Sequence, residues 1–139
     1  MTEPVGRVFR CPVYRRFSDL DPLGHVNNVA YYEFLQEARV QVFEELGWTP
    51  TQDFFHVVVR QGISFRRPLG MSTEPIVVET SFTRIGGSSY TIAYRIVDEA
   101  GELAAEGETV MAVVDISSGK PVRIPEKLRS VLRDVRIVE

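Results

Sequence analysis

Cysteine is almost missing from this sequence. Cys11 is the only one in 139 residues, which excludes an internal disulfide and a thiolate metal cluster. Set among strand-forming residues, it reads as a buried, inert thiol. Histidine is nearly as scarce. His25 and His56 stand far apart, with no His-x-x-x-His spacing, so no metal site can be assembled and no metal or cofactor is expected. Basic charge has no surplus either: 16 Lys and Arg face 19 Asp and Glu. They are scattered, which argues against a nucleic-acid partner. No apolar run is long enough to span a bilayer, and the first residues lack the apolar core of a signal peptide. The expected compartment is the cytoplasm, with no membrane association.

What remains is the composition of one folded domain, with 44% apolar and 25% charged residues. Residues 1–139 are read as a single unit, since no linker, repeat or low-complexity stretch interrupts them. Strand-favouring residues alternate over 7–17, and a turn cluster follows at 18–24. The period then changes. Tyr31, Leu35, Ala38, Val42 and Leu46 recur at helical spacing, reinforced by Phe34 and Phe43, so residues 27–46 read as a helix. Asn27 is its expected N-cap and Gly47 its stop. About twenty residues give about 30 Å of helix, long for this chain, and the wide apolar face requires a wrapping partner.

After Pro50 period-two segments dominate, over 56–67, 75–85, 89–98 and 102–115, with Gly86-Gly87 and Glu99-Ala100-Gly101 as hairpin turns. A short amphipathic segment follows at 125–132. The reading is α+β: one antiparallel sheet curled round one long helix. Such a sheet leaves edges and a face exposed, so at least a dimer is expected.

The reactive groups concentrate in the loop before the helix. Asp19, Asp21, His25, Asn27 and Asn28 lie within ten residues. The first N–H groups of a helix have no internal partner and carry partial positive charge, so they can hold the oxyanion that develops in acyl transfer. A carboxylate facing them could attack the acyl carbon or activate a water that does. Asp, Asn and Asp-Pro-x-Gly are also ordinary capping and turn chemistry. On physics alone Asp21 is open between a turn residue and a catalyst, and Asp19 is more readily structural.

The run Asp21-Pro22-Leu23-Gly24-His25-Val26-Asn27-Asn28-Val29-Ala30-Tyr31, followed by Phe34-Leu35-Gln36-Glu37-Ala38-Arg39, resembles the signature of hot-dog-fold acyl-CoA thioesterases of the 4-hydroxybenzoyl-CoA thioesterase type. His25-Val26-Asn27-Asn28 also resembles the acyl-ACP thioesterases. Further stretches similar to the family lie at Ser64-Phe65-Arg66-Arg67-Pro68, at 83–89 and at 119–125. The resemblance implies a hot-dog fold, a long central helix wrapped by a five-stranded antiparallel sheet, in a homodimer or homotetramer with active sites at the subunit interface. It implies hydrolysis of an acyl-CoA to a free acid and CoA. Asp21 would be nucleophile or general base, the N–H of Asn28 would polarise the carbonyl, and His25 would assist. Leu23 stands where the acyl-ACP branch carries an asparagine. Gly24 and Tyr31, in the same block, are expected to contact substrate. Arg84, Ser88, Ser89 and Lys120, at two turns, are expected to hold the pantetheine and phosphates of CoA.

Glu33 and Glu37 are rivals to Asp21, because another branch of this fold uses a helix-borne glutamate; surface pairing is their ordinary role. His56 lacks partners in sequence and reads as structural, and Trp48 as packing. Two further functions use the same groove: a dehydratase or hydratase on an acyl thioester, and a binding module without catalysis.

Overall fold

The alternation of apolar and polar residues produces five strands, and the one long helical pattern produces the helix they enclose. A computed structural model describes residues 6–48 and 54–137; the readings made on residues 1–5 and on the break at Pro50 lie outside these. In chain order come β1 (Phe9–Val13), a short 3-10 turn (Phe17–Asp19), α1 (Asn28–Glu45), β2 (Phe54–Phe65), β3 (Ile76–Ile85), β4 (Ser89–Val97), β5 (Leu103–Asp115) and α2 (Glu126–Val135). The first strand is shorter than its alternation suggests, because the chain turns at Phe17 to begin the loop. The last helix runs three residues beyond its expected end.

The sheet is antiparallel throughout, in the order β1-β3-β4-β5-β2. β3, β4 and β5 pair in sequence order by hairpins at the two expected turns, closed by Gly86 N–H to Ser89 C=O at 2.7 Å and Asp98 N–H to Glu102 C=O at 2.9 Å. β1 and β2 are the exceptions, lying on opposite edges. The segment between them is α1, which therefore lies across the sheet's inner face.

α1 starts where the sequence places its cap. Asn27 Oδ1 accepts from Ala30 N–H at 3.0 Å, satisfying one of the orphan donors of the first turn. Gly47, at a φ of +70°, ends it. Its buried stripe is Ala30, Tyr31, Phe34, Leu35, Ala38 and Val42, which meets Ile92, Tyr94, Ile96, Val78 and Phe82 of the sheet. Phe43 and Leu46, expected within this stripe, pack against the same core while staying half-buried. A straight helix drifts about its own axis, and its last turn carries Phe43 to the flank above β2.

The outer face of the sheet is polar. Glu79 is flanked by Arg10 and by Arg95 (3.0 Å), and Glu106 by Arg66 (3.0 Å). The β2 edge contrasts with it: Phe55, Val57, Val58, Val59 and Phe65 are all exposed. This is a long apolar edge strand, the kind that soluble proteins ordinarily cover.

Candidate active site

Two segments converge at the start of α1. The loop at 20–26 closes on itself through a Leu20–Val26 bridge, and His25 pairs with Gly70 of the segment after β2. Val26 N–H donates to Leu69 C=O at 2.7 Å. Arg15, buried, fixes that second segment by donating to Gly70 C=O (2.8 Å), Glu74 C=O (2.9 Å) and Glu99 (2.7 Å). The loop is thereby braced from both sides.

Within it, Asp21 is half-buried. Its Oδ1 accepts from the N–H groups of Leu23 (2.9 Å) and His25 (3.2 Å). The tight turn is completed by Gly24 N–H to Asp21 C=O at 3.0 Å, and by Asp21 N–H to His25 C=O at 2.8 Å. Gly24 adopts a φ of +79° there, a conformation that strains any residue with a Cβ. Gly24, expected as a substrate contact, thus has a demonstrable backbone role. Asp21 Oδ2 has no hydrogen-bond partner among the described residues. One oxygen shapes the turn and the other is left unengaged by it.

Asn28 opens α1 and is exposed, as is His25. Since Asn27 caps Ala30, the N–H groups of Asn28 and Val29 keep the unpartnered state of a helix's first residues. Asp21, His25, Asn28 and Tyr31 all line one cleft of about 340 Å³, together with Val26, Phe65, Arg66, Arg67 and Pro68. Tyr31 is its inner wall. The ring is buried and meets Phe65 edge-on, with centroids 4.9 Å apart, and burial pushes its hydroxyl pKa up.

The rival carboxylates lie elsewhere. Glu33 pairs with Arg16 on the exposed side of α1, and Glu37 lines the same shallow surface. Asp19 is structural: buried, it accepts from Arg16 N–H at 2.8 Å and Arg16 Nη2 at 2.9 Å, while its carbonyl accepts from Asn27 N–H.

Arg84, Ser88, Ser89 and Lys120 are not brought to this cleft within one chain. Ser89 pairs with Ala112 of β5, whereas Phe65, at the cleft, pairs with Ala105. Seven residues of strand separate the two positions by about 23 Å. Lys120 lies at the far end of β5, its carbonyl accepting from Asp115 N–H, and Arg84 pairs with Thr91 at the far end of β3. Conversely, Arg66 and Arg67, which enter the sequence reading only as part of a similar stretch, line the cleft, where they pair with Glu106 (3.0 Å) and Glu102 (3.1 Å). Two consecutive arginines before a proline at a strand end were the available signal.

A family model described as the thioesterase-like superfamily matches residues 15–132. The chain belongs to that superfamily. Among its relatives, it is 27% identical over 120 residues to the long-chain acyl-CoA thioesterase FadM of Escherichia coli K12, spanning 84% of this chain and 90% of FadM. A thioesterase of Thermus thermophilus, solved in complex with coenzyme A and zinc, is 32% identical and superposes with a TM-score of 0.76 over 91% of this chain and 92% of its own. The PA5185 protein of Pseudomonas aeruginosa PAO1 is 29% identical with a TM-score of 0.83, over 93% of this chain and 92% of its own. The hot-dog fold of these superfamily members, helix and five-stranded sheet, is the one found here. Among the described residues no three His, Cys, Asp or Glu side chains gather as a metal site.

Proposed function

We propose that this protein hydrolyses an acyl-CoA thioester to a free acid and CoA, with the reaction centred on Asp21. One observation carries the reading. The free Oδ2 of Asp21 and the unpartnered N–H of Asn28 border the same cleft at a helix N-terminus. The thioester carbonyl oxygen sits against the Asn28 N–H, where the backbone donor and the helix dipole stabilise the charge that develops on it. Asp21 then attacks the carbonyl carbon, or takes a proton from a water that attacks it. The tetrahedral intermediate collapses with loss of the CoA thiolate. In the first case water then hydrolyses the acyl–Asp21 anhydride to release the acid; in the second the acid forms directly and the proton passes to the thiolate. His25, exposed beside them, assists without being indispensable. Family membership and the likeness to FadM support the substrate class.

Two copies joined through β2 complete the site. An antiparallel pairing of β2 with its own copy, centred on the strand, sets Phe65 opposite the partner's Phe54. It covers the apolar edge and brings the far end of one sheet beside the Asp21 cleft of the other. Arg84, Ser88, Ser89 and Lys120 then serve the partner's substrate, holding pantetheine and phosphate where their own Asp21 is out of reach. Arg66 and Arg67 border the cleft from the same chain, paired with Glu106 and Glu102. This arrangement calls for a homodimer, alone or paired into a homotetramer, and we place its action in the cytoplasm as part of the same proposal.

Thiol release from a panel of acyl-CoAs, measured beside chain mass by light scattering, tests the reading. Binding of acyl-CoA with no thiol released would reject it. A monomer with full activity would reject the shared site.

A further inference from the structure

A second concavity lies on the same flank of α1, at its other end. Val40, Phe43, Trp48, His56 and Met111 line a pocket of about 370 Å³, with Arg39 towards its inner side. Its walls are largely apolar, although Gln36 and Glu44 also line it. Phe43 meets His56 edge-on, with centroids 5.6 Å apart, and also contacts Phe82 and Tyr90. His56 Nε2 accepts from Trp48 Nε1–H at 3.3 Å, and His56 Nδ1 bonds the Tyr90 hydroxyl at 2.6 Å. Both ring nitrogens are occupied, so the wall presents apolar ring surface to the pocket. The proposed active site leaves this pocket unused, and its largely apolar lining suits a hydrocarbon chain.

Within one chain the pocket cannot serve the Asp21 cleft. From Asn28 to Phe43 the helix rises about 22 Å. Two bars cross the groove between α1 and β2 on the way: the Tyr31–Phe65 contact, and Arg39 Nη1 donating to Gln61 Oε1 at 2.9 Å, beside Tyr94 and Thr109. Across a β2–β2 pairing the distance collapses. Antiparallel symmetry places the Phe65 end of one strand beside the Phe54–His56 end of the other. The cleft of each copy then faces the aromatic pocket of its partner over the edge of the sheet, on the side where Val40 is exposed.

We infer that this pocket receives the aliphatic chain of an acyl group whose thioester is held at Asp21 of the second copy, making long-chain acyl-CoA the preferred substrate class. The inference rests on the proposed thioesterase activity and the β2 dimer. It assigns Val40, Phe43, Trp48 and Met111 to chain-length selection in trans.

Val40→Trp fills the pocket from an exposed helix position, with Val40→Phe as a milder variant. The ratio of kcat/KM for palmitoyl-CoA to that for butyryl-CoA is expected to fall at least about tenfold in Val40→Trp, and less in Val40→Phe. An unchanged ratio overturns the assignment while leaving the thioesterase reading intact. Wild-type failure on both substrates rejects the reading itself. Co-expressed chains carrying two different tags decide the trans relation. A heterodimer of Val40→Trp with Asp21→Asn holds one site with both Asp21 and an open pocket, so about half the wild-type palmitoyl-CoA turnover is expected. Turnover no higher than that of the Val40→Trp homodimer would assign the pocket to its own chain's Asp21 and overturn the inference.

Discussion

The two ends of the groove between α1 and β2 differ in almost every physical respect. At the N-terminal end the helix leaves donors unpaired, Asp21 keeps one oxygen free, and His25 and Asn28 stand in solvent. At the other end the polar atoms of Trp48, His56 and Tyr90 satisfy one another and the surface left over is aromatic. The contrast follows from helix geometry and packing. A first turn cannot bond its own N–H groups, whereas a flank beyond the core stripe can be closed by whichever rings reach it. On the proposed function, one end polarises a bond and the other buries a chain. Even the two histidines divide this way. His25 has an exposed ring and a backbone that builds the Asp21 turn, while His56 has a ring with both nitrogens bonded.

The strongest way to break this comparison is to remove charge at the polar end. Asp21→Asn keeps an oxygen to accept from Leu23 and His25, so the turn should survive. kcat on any accepted acyl-CoA is expected to fall by about 10²-fold or more, with thermal denaturation nearly unchanged. Equal activity would clear Asp21 of a role. Next comes His56→Ala at the apolar end. It leaves the buried Tyr90 hydroxyl without its partner and should lower unfolding free energy by about 1–3 kcal/mol, read from urea titration. No loss of stability would mean that the aromatic cluster does not hold that end together.

His25→Ala sharpens the polar end. Its backbone keeps the bonds to Asp21 and Gly70, so only the exposed ring is lost. A decrease in kcat of about tenfold or less is expected, and a loss as large as that of Asp21→Asn would make the imidazole essential. The smallest effect concerns pH. Burial holds the His56 pKa below its ordinary 6.5. The unfolded chain therefore binds a proton before the folded one does. The contribution is fully present above about 6.5 and is lost as pH falls from there towards the folded-state pKa. Melting temperature should decline over that window in the wild type and decline less in His56→Gln. An identical slope in the two proteins would remove His56 from the pH response.

Much of this was legible without a structure. The cap at Asn27, the stop at Gly47, both hairpins and the gathering of Asp21, His25 and Asn28 before the helix are short-range features. They are set by capping chemistry, turn residues and hydrophobic period, which neighbours in sequence suffice to determine. Those same local rules placed Phe43 and Leu46 with the core stripe, and both pack against the core while staying half-buried. They also could not tell that Glu33 would be engaged by Arg16, since that contact joins residues from different elements.

The α+β class, the long helix and the group of candidate reactive residues are each encoded in a run of about ten to twenty residues. The strand order β1-β3-β4-β5-β2, which puts an apolar strand on an edge, came from tertiary pairing. It alone separated Arg84, Ser88, Ser89 and Lys120 from the Asp21 of their own chain, added Arg66 and Arg67 to the cleft, and opened the aromatic pocket beside His56. These depend on which distant segments pair, and pairing is settled by the fit of whole faces rather than by any local pattern.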